Sequence, residues 1–345
     1  MIEVIKRNGK KEAINIDKLH EVVEHACYGL SGVSSSEVEL KSQLQFYDGM
    51  TTKEIQETLI KAAADLISEH SPNYQFVAGR LINYNLRKEV YGTFVPDSIS
   101  EHVERLVELG FYDKNLLIWY SKQEFELMEK WIDHSKDENL TYAAMEQLRG
   151  KYLVQNRATK IIYETPQMAF MLIAATLFHR YNNGDRLHYV KELYTALSNF
   201  DLNLPTPVMA GVRTSVRQFS SCVLIETDDS LESINATASS IVKYVSKRAG
   251  IGIGAGRIRA LGSPINGGHA THTGVIPFYK HFQSAVRSCS QGGVRGGAAT
   301  LYYPIWHYEV EDLLVLKNNK GTENNRIGHL DYGVQFNKLF YERLL

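Results

Sequence analysis

Arg217-Gln-Phe-Ser-Ser-Cys-Val-Leu-Ile-Glu226 and Arg248-Ala-Gly-Ile-Gly-Ile-Gly-Ala-Gly-Arg-Ile-Arg259 are the two segments that decide the fold. The first is a polar approach to an apolar run and the second alternates glycine with isoleucine, so each predicts a β-strand. Between them, Asp228 or Asp229 precedes a predicted helix that continues to Ser246. Strand, helix, strand is the order of α/β sheets and barrels, and the glycines predict that the second strand's backbone is closely approached.

A second glycine-rich stretch is Arg287-Ser-Cys-Ser-Gln-Gly-Gly-Val-Arg-Gly-Gly-Ala-Ala-Thr300. Two Gly-Gly pairs flank Val294 and Arg295, and this freedom of the backbone predicts a loop rather than a packed helix or strand. Gln291 and Arg295 are the side chains long enough to contact a ligand there. The alternative is a flexible surface turn with no special role.

Length and composition indicate a soluble globular protein of two or three domains, with 345 residues, 44% hydrophobic and 22% charged. A net charge of -1 gives no overall field for nucleic acid or a membrane, so an anionic ligand needs local Lys and Arg. The three cysteines form no C-x-x-C pair, which argues against a zinc or disulfide framework and for a reducing, cytoplasmic compartment. The N-terminus does not read as a signal peptide, and the longest apolar run, Met168 to Phe178, predicts a buried helix too short to cross a bilayer.

The first 92 residues predict a separate domain, a helical bundle lidded by a hairpin. Alternating runs meet at Asn8-Gly9, the dipeptide that best favours a tight hairpin turn. The helix signals are Asp17 for a helix to about Gly29, a Thr51/Glu54 capping box for a helix to about Ser68, and Pro72 for a helix to Tyr91. Basic residues at the edges of these elements suit a polyphosphate, with solvated surface charge as the alternative: Lys6, Arg7, Lys18, Arg87 and Lys88.

Residues 93–203 predict a mainly helical region without a catalytic pattern. Plausible helix starts are Asp97, Asp113 and Ser121, and Asn156 to Lys160 predicts a turn.

Candidate chemistry in the C-terminal part is sparse. Cys222 begins a predicted strand behind two serines and could face a substrate, although an isolated cysteine is more often a small buried hydrophobe. Cys289 is equally ambiguous and Cys27 reads as core. The loose G-x-G-x-x-A pattern from Gly250 lacks a placed acidic partner, and His269 and His272 lack a third metal ligand. From the residues alone, the reading is a nucleotide- or phosphate-binding α/β protein.

Four collinear segments resemble the large (alpha) subunit of class I ribonucleotide reductase: Arg217 to Cys222, Arg248 to Ile253, Arg257 to Pro264, and Ser288 to Thr300. The N-terminal hairpin and helices resemble the ATP-cone of that family. The resemblance spans essentially the whole chain and implies an ATP-cone over 1–92, the family's helical region over 93–203, and the first half of a ten-stranded α/β barrel over 204–345.

The resemblance also implies a reaction, the radical-based reduction of ribonucleoside diphosphates to deoxyribonucleotides. Cys222 matches the reducing cysteine on the first barrel strand. The resemblance implies that this cysteine forms a disulfide with a second cysteine in the course of the reaction. Substrate-contacting positions are matched by Thr206, Ser221, Ala249, Gly250, Gln291 and Arg295.

Two regulatory sites follow from the same resemblance. The specificity-effector site is matched by Asp229, Ser230, Leu231, Arg259, Ile265 and Asn266, the last where some relatives place an Arg. The nucleotide contacts of the cone are matched by Lys6, Arg7, Glu12, Asn15, Lys18, Thr52 and Lys88. Gln56 and Asn85 stand where relatives use histidines in the cone, so we expect weakened or absent inhibition by dATP.

The implied cofactors and partners lie mostly outside the chain. We expect no directly bound cofactor, ATP and dNTP effectors, and a metal-radical cofactor in a small (beta) subunit. We also expect a homodimer of large subunits and thioredoxin or glutaredoxin as reductant, with no membrane and no direct nucleic acid binding. The family's large subunit is about twice this long, so we expect a split or truncated gene whose second polypeptide supplies the other barrel half, with the radical cysteine and second reducing cysteine. A non-catalytic nucleotide-binding regulatory subunit, or an inactive fragment, is the alternative.

Overall fold

The computed structural model describes residues 2–43, 45–291, 293, 295–318 and 325–345, and leaves out the side chains of Asn183 and Arg295. The chain forms two compact units. One comprises Met1–Leu204 with Val208–Arg217, and the other Pro205–Pro207 with Gln218–Leu345. Within the described ranges, no helix has the length and apolar character needed to span a membrane.

The first unit opens with the predicted hairpin. Strands β1 (Glu3–Ile5) and β2 (Lys11–Ala13) pair antiparallel across a turn in which Gly9 has φ +80°, and β3 (Met50–Thr51) pairs parallel with β1. The helices that follow are α1 (Ile16–Cys27), α2 (Ser35–Gln43), α3 (Thr52–Ala64) and α4 (Tyr74–Tyr91).

The ends of these helices correct part of the prediction. The Thr51/Glu54 capping box of α3 is confirmed. The cap of α1 is Asn15 and not Asp17, because Asn15 Oδ1 accepts from the Lys18 amide at 2.9 Å, whereas Asp17 lies in the first turn, where its charge favours the helix dipole. Cys27 is the last residue of α1 and half-buried rather than core.

Helix α4 packs against the helical region that follows it. Gly79 comes so close to Leu140 that a Cβ at position 79 would lie 2.1 Å from the Leu140 carbonyl oxygen. On either side of Gly79's contact, Arg80 and Arg87 donate hydrogen bonds to backbone carbonyls of the short 3-10 helix His134–Asn139. Helix α4 is therefore shared between the N-terminal helices and the helical region that follows them.

The rest of the first unit is mainly helical, as predicted. Helix α9 (Pro166–Phe178) is buried over most of its length, and Ser121 caps its helix as predicted. Ser98 rather than Asp97 caps α5 (Ile99–Glu108), through a capping box with Glu101. The bounds are α5 (Ile99–Glu108), α6 (Leu116–Trp119), α7 (Lys122–Glu129), α8 (Tyr142–Gln147), a π-helical turn (Leu148–Tyr152), the hairpin strands β4 (Gln155–Asn156) and β5 (Ile161–Ile162), α9 (Pro166–Phe178) and α10 (Asn183–Ser198). Helix α11 (Thr206–Gly211) begins with two residues assigned to the second unit and continues with residues of the first. Lys160, with φ +63°, closes the predicted turn between β4 and β5.

A fully buried ion pair lies inside this unit. Arg213 and Glu164 both have 0% side-chain exposure and form two hydrogen bonds with each other. Arg213 also donates to the carbonyls of Met209 and Tyr152, and Glu164 also accepts from the Tyr112 hydroxyl and the Val154 amide. Both oxygens of Glu164 and all three nitrogens of the Arg213 guanidinium are thus hydrogen-bonded, which is the condition under which buried ions are tolerated.

The second unit has a parallel sheet in the described residues, with strand order β13 (Asp331–Gln335), β12 (Ala299–Pro304), β7 (Gly250–Gly254) and β6 (Cys222–Glu226). Strands β6 (Cys222–Glu226) and β7 (Gly250–Gly254) are connected by α12 (Leu231–Ser246), so the predicted strand, helix, strand unit is confirmed. The remaining elements are β8 (Pro264–Ile265), β9 (Ala270–Thr271), α13 (Ile276–Arg287), β10 (Ser290–Gln291), β11 (Arg295–Gly296), β12 (Ala299–Pro304), α14 (Val310–Leu314), β13 (Asp331–Gln335) and α15 (Lys338–Leu344).

The glycine and isoleucine of β7 face opposite sides of the sheet. Ile251 and Ile253 are buried in the core with residues of α12 and α13. On the other face, a Cβ at Gly252 would lie 2.4 Å from the Leu224 side chain and one at Gly254 2.5 Å from Glu226. The close approach predicted for this strand therefore comes from side chains of the neighbouring strand β6.

The stretch from Arg287 to Thr300 differs from its predicted loop. Ser290 and Gln291 pair antiparallel with Gly296 and Arg295, so the stretch contains a short two-stranded ladder. Gln291 is buried and donates to the Ala249 carbonyl at 3.2 Å, although it was expected to extend toward a ligand. Gly292, Val294 and the side chain of Arg295 lie outside the described residues.

Candidate functional sites

The first candidate site is a cavity of about 580 Å³ between the hairpin, α1, α3 and α4. All seven residues predicted to contact a nucleotide in the cone line it: Lys6, Arg7, Glu12, Asn15, Lys18, Thr52 and Lys88. They come from sequence positions up to 82 apart, so the fold brings them together. Tyr84 and Gln56 also line the cavity and add a ring and an amide.

Two cations of this cavity contact neighbouring side chains. Lys6 pairs with Glu12 at 2.8 Å, a hydrogen bond that lowers the pKa of Glu12. The Lys88 ammonium lies 4.7 Å from the centre of the Tyr84 ring. Four cationic side chains against the carboxylates of Glu12 and Glu21 can bind a polyphosphate through charge-assisted hydrogen bonds.

The two amides expected at histidine positions of the family lie in different places. Gln56 lines the cavity, is 9% exposed, and its Oε1 has no hydrogen-bond partner among the described residues. Asn85 is buried behind the cavity wall, where its Oδ1 accepts from Arg7 Nη2 at 2.8 Å and its amide donates to Glu57. Gln56 can thus meet a ligand directly, whereas Asn85 acts through Arg7.

The second candidate site lies at the N-terminus of α12, where the predicted effector residues gather. Asp229 accepts two hydrogen bonds from Arg259, from the amide at 3.0 Å and from Nε at 2.6 Å, and Arg259 Nη1 donates to the Pro264 carbonyl. Ser230 caps α12 by accepting from Ser233, and Leu231 beside it is exposed. The Arg259 guanidinium at an exposed helix N-terminus can bind phosphate, and the Asp229 carboxylate can accept hydrogen bonds from sugar hydroxyls.

A small hairpin extends from this site. Strands β8 and β9 pair with Ile265 opposite Ala270, and the tip turns through Asn266, Gly267 and Gly268, which all have positive φ. Ile265 and Asn266, both predicted to belong to the effector site, are therefore the last strand residue and the first tip residue of the hairpin.

The third candidate site is the N-terminal edge of β6 and β7. Cys222 is exposed and stands in register with Gly250, whose amide donates to the Ser221 carbonyl at 2.8 Å. Ala249 is fully buried, and its carbonyl accepts from Gln291. Four predicted substrate positions thus lie around the cysteine. Thr206, a fifth predicted substrate position, begins α11 and is half-buried, and the side chain of the sixth, Arg295, lies outside the described residues.

One residue of this region escapes sequence reasoning. Glu309 Oε2 accepts from the amides of Leu261 and Val275, which flank the β8–β9 hairpin in the sequence. No sequence pattern singles it out, because a carboxylate among polar and aromatic neighbours is common on protein surfaces.

Three family profiles match consecutive parts of the chain. They are the ATP cone domain over residues 2–89, the all-alpha domain of ribonucleotide reductase over 138–217, and the barrel domain of ribonucleotide reductase over 220–345.

Curated relatives match over the whole chain. The chain is 63% identical over 342 residues to ribonucleoside-diphosphate reductase 1 subunit alpha of Escherichia coli strain K12, and this covers 99% of the chain. It is 60% identical to the corresponding subunit alpha of Buchnera aphidicola subsp. Baizongia pistaciae and 53% identical to that of Enterobacteria phage T4, each over 345 residues. The match covers 45% of each relative, so the chain spans about half the length of the curated relatives it matches. The chain belongs to the family of ribonucleotide reductase large subunits, of which it carries the ATP cone, the all-alpha domain and the first part of the barrel.

Proposed function

We propose that this chain provides the regulatory sites and one reducing cysteine of a ribonucleoside-diphosphate reductase. The observation that carries the proposal is the exposed Cys222 at the start of β6, opposite Gly250 and among the predicted substrate positions. In this proposal Cys222 and a second cysteine lose two electrons and two protons and form a disulfide. The ribose 2'-hydroxyl leaves as water and a hydrogen takes its place at the 2' carbon.

The backbone around Cys222 suits a sugar diphosphate. Gly250 has no side chain toward the edge of the sheet, where a Cβ would find only ordinary van der Waals contacts at 3.8 Å or more. A ligand can therefore approach the backbone of β7 closely, while the Ser221 hydroxyl offers a neutral hydrogen bond beside the thiol. Exposure also leaves Cys222 accessible to a second thiol.

Turnover is proposed to need more of the barrel than this chain contributes. In the described residues β6 and β13 are the outer strands of the parallel sheet, and both would pair onward in a closed barrel. We expect reduction of CDP when the chain is combined with the C-terminal part of a large subunit and a metal-radical small subunit. Equal turnover with the small subunit alone would contradict this requirement.

The role of Cys222 is tested by Cys222→Ser in that reconstituted system. Serine is nearly isosteric but is not a reductant, so we expect CDP reduction to fall by at least about a hundredfold while CDP binding changes little. Cys289→Ser is the matched control, because Cys289 is the other cysteine of the second unit and is only half-buried, and it should keep the wild-type rate. A wild-type rate in Cys222→Ser would show that the thiol takes no part and would favour a purely regulatory chain.

Two nucleotide sites are proposed to regulate the reaction. The cavity lined by Lys6, Arg7, Lys18 and Lys88 would take ATP or dATP, and the site at Asp229 and Arg259 a deoxynucleoside triphosphate that sets substrate choice. Because Asp229 and Arg259 already bind each other, an effector must exchange this contact for contacts of its own. Asp229→Ala should weaken effector binding and flatten the response of substrate choice, measured as dTTP affinity and CDP-to-GDP rate ratios. Unchanged ratios would place the effector elsewhere.

The remaining parts of the proposal concern partners. The chain would work as a dimer of large subunits with a small beta subunit that carries the metal-radical cofactor, and thioredoxin or glutaredoxin would reduce the disulfide in the cytoplasm. Exposed Cys222 and a net charge of -1 are compatible with this assignment.

A further inference from the structure

The hairpin that carries Ile265 and Asn266 is closed at its base by one carboxylate. Glu309 Oε2 accepts from the Leu261 amide at 2.9 Å and from the Val275 amide at 3.1 Å. Leu261 leads into the hairpin and Val275 follows it, so a single oxygen joins the two ends of a segment of more than ten residues. Above this point, Gly262 and Ser263 pair with His272, followed by the β8–β9 ladder.

The position of Glu309 favours a charged acceptor. Val275 is the N-cap residue of α13 and has no side-chain cap hydrogen bond, and the Glu309 carboxylate accepts from the Val275 amide at the positive end of the helix dipole. Gly274 has φ +89°, and a Cβ there would lie 2.6 Å from Glu309 Oε1. The glycine therefore leaves room for the carboxylate as well as permitting the turn.

Glu309 is itself held by a buried histidine. His307 Nδ1 accepts from the Glu309 amide at 3.1 Å, and His307 Nε2 donates to the Ile258 carbonyl at 3.0 Å. These two partners together require a neutral ring with the proton on Nε2. Ile258 immediately precedes Arg259, a predicted effector contact. The segment 307–309 therefore contacts the chain that leads into the hairpin, at Ile258 and Leu261, and the residue that follows the hairpin, Val275.

The same carboxylate reaches the element that leads to the substrate edge. Helix α13 begins after Val275 and ends at Arg287, three residues before the strand that holds Gln291. Gln291 in turn donates to the Ala249 carbonyl beside Cys222's strand partner. The hairpin and the start of α13 therefore share one anchor.

We propose that Glu309 is the positioning residue of the effector hairpin, which holds Ile265 and Asn266 where they meet the base of a bound deoxynucleoside triphosphate. The inference rests on the proposed effector site and assigns a residue that does not itself touch the nucleotide. Without Glu309, the contacts that join the two arms in the described residues are the hydrogen bonds of Gly262 and Ser263 with His272 and the β8–β9 ladder, and part of the binding energy is used to order the arms.

Peptide-resolved hydrogen exchange of the full chain, titrated with dTTP, tests the proposal. In Glu309→Ala we expect faster exchange at the Leu261 and Val275 amides without nucleotide, and at least a tenfold rise in the dTTP concentration that protects the hairpin. Glu309→Gln keeps an acceptor oxygen and should partly restore the slow exchange and the dTTP affinity. Glu309→Asp keeps the charge but is one methylene too short, so it should resemble Glu309→Ala. Glu311→Ala removes an exposed carboxylate of α14 and is the matched control.

The outcomes separate the two levels of the argument. Equal dTTP affinity and equal exchange in Glu309→Ala and Glu311→Ala would overturn the positioning role and leave the effector site standing. If dTTP protects no residue between 228 and 275 of the wild-type chain, the proposed effector site is wrong and the inference falls with it. Exchange of cone peptides reports whether each variant is folded, and if Glu309→Ala is unfolded, the comparison of Asp with Gln decides.

Discussion

Removing Arg213 should destabilise the first unit far more than removing a surface arginine. Arg213→Met keeps much of the buried aliphatic volume but deletes the guanidinium, which donates four hydrogen bonds, two of them to Glu164. Glu164 is left as a buried carboxylate with the Tyr112 hydroxyl and the Val154 amide as its remaining donors. Breaking a buried pair in this way typically costs about 3–5 kcal/mol.

The matched control is Arg105→Met. Arg105 pairs with Asp97 at 3.0 Å, but both side chains are about a third exposed, so the loss should stay below about 1 kcal/mol. The double variant Arg213→Met/Glu164→Gln removes both charges, and we expect it to be more stable than Arg213→Met alone, because a neutral amide is less costly to bury than an unpaired charge.

Urea unfolding followed by tryptophan fluorescence measures these differences. Trp119 and Trp131 lie in the first unit and half-exposed Trp306 in the second, so a Trp306→Phe background makes the signal specific for the first unit. With a denaturant slope of about 2–3 kcal/mol per molar urea, Arg213→Met should lower the midpoint by about 1–2 M. A shift no larger than that of Arg105→Met would refute the reasoning, since the buried pair would then contribute no more than a surface pair.

Three further predictions concern groups of the first unit. Burial raises the pKa of Asp137 to about 7, so the folded state binds this proton more tightly than the unfolded state. The stability that this group contributes is therefore lost as the pH rises from about 4 to 7. Asp137→Asn should flatten the dependence of the melting temperature on pH, and an unchanged dependence would contradict the prediction. Gln56→His should increase dATP inhibition of the reconstituted enzyme, whereas complete dATP shut-off in the wild type would show that the amides preserve the switch. Asn85→Ala should weaken ATP binding to the cone only through Arg7, so that Arg7→Ala and the double variant bind equally in calorimetric titrations; additive losses would mean an independent role for Asn85.

Local chemistry explains why much of the fold could be predicted. The Asn8-Gly9 turn, the Thr51 and Ser121 caps and the strand starting at Cys222 each depend on neighbours in sequence, and all are confirmed. Asn15 and Ser98 were missed because a polar residue two positions on, or one position before, offers a similar cap signal. Only the backbone geometry decides between such candidates.

The sequence predicts which single residues belong to a candidate site, but not how those residues contact one another. All seven cone residues line one cavity, but nothing in the sequence shows that Asn85 lies behind Arg7 or that Gln291 is buried against Ala249. Glu309 was out of reach for the same reason, because its partners are backbone amides 48 and 34 positions away that any residue could supply.

The tight contact at Gly79 bears on how the cone can be exchanged between proteins. Any side chain at that position would push α4 away from the Leu140 carbonyl, and Arg80 and Arg87 would then lose the backbone oxygens they bind. A cone transplanted as residues 2–92 would keep the residues that line its nucleotide cavity but expose a helix face shaped for another partner. Loss or gain of a cone in evolution would therefore require compensating changes around residues 134–141, and a graft that includes this segment should fold better than one that stops at the end of α4.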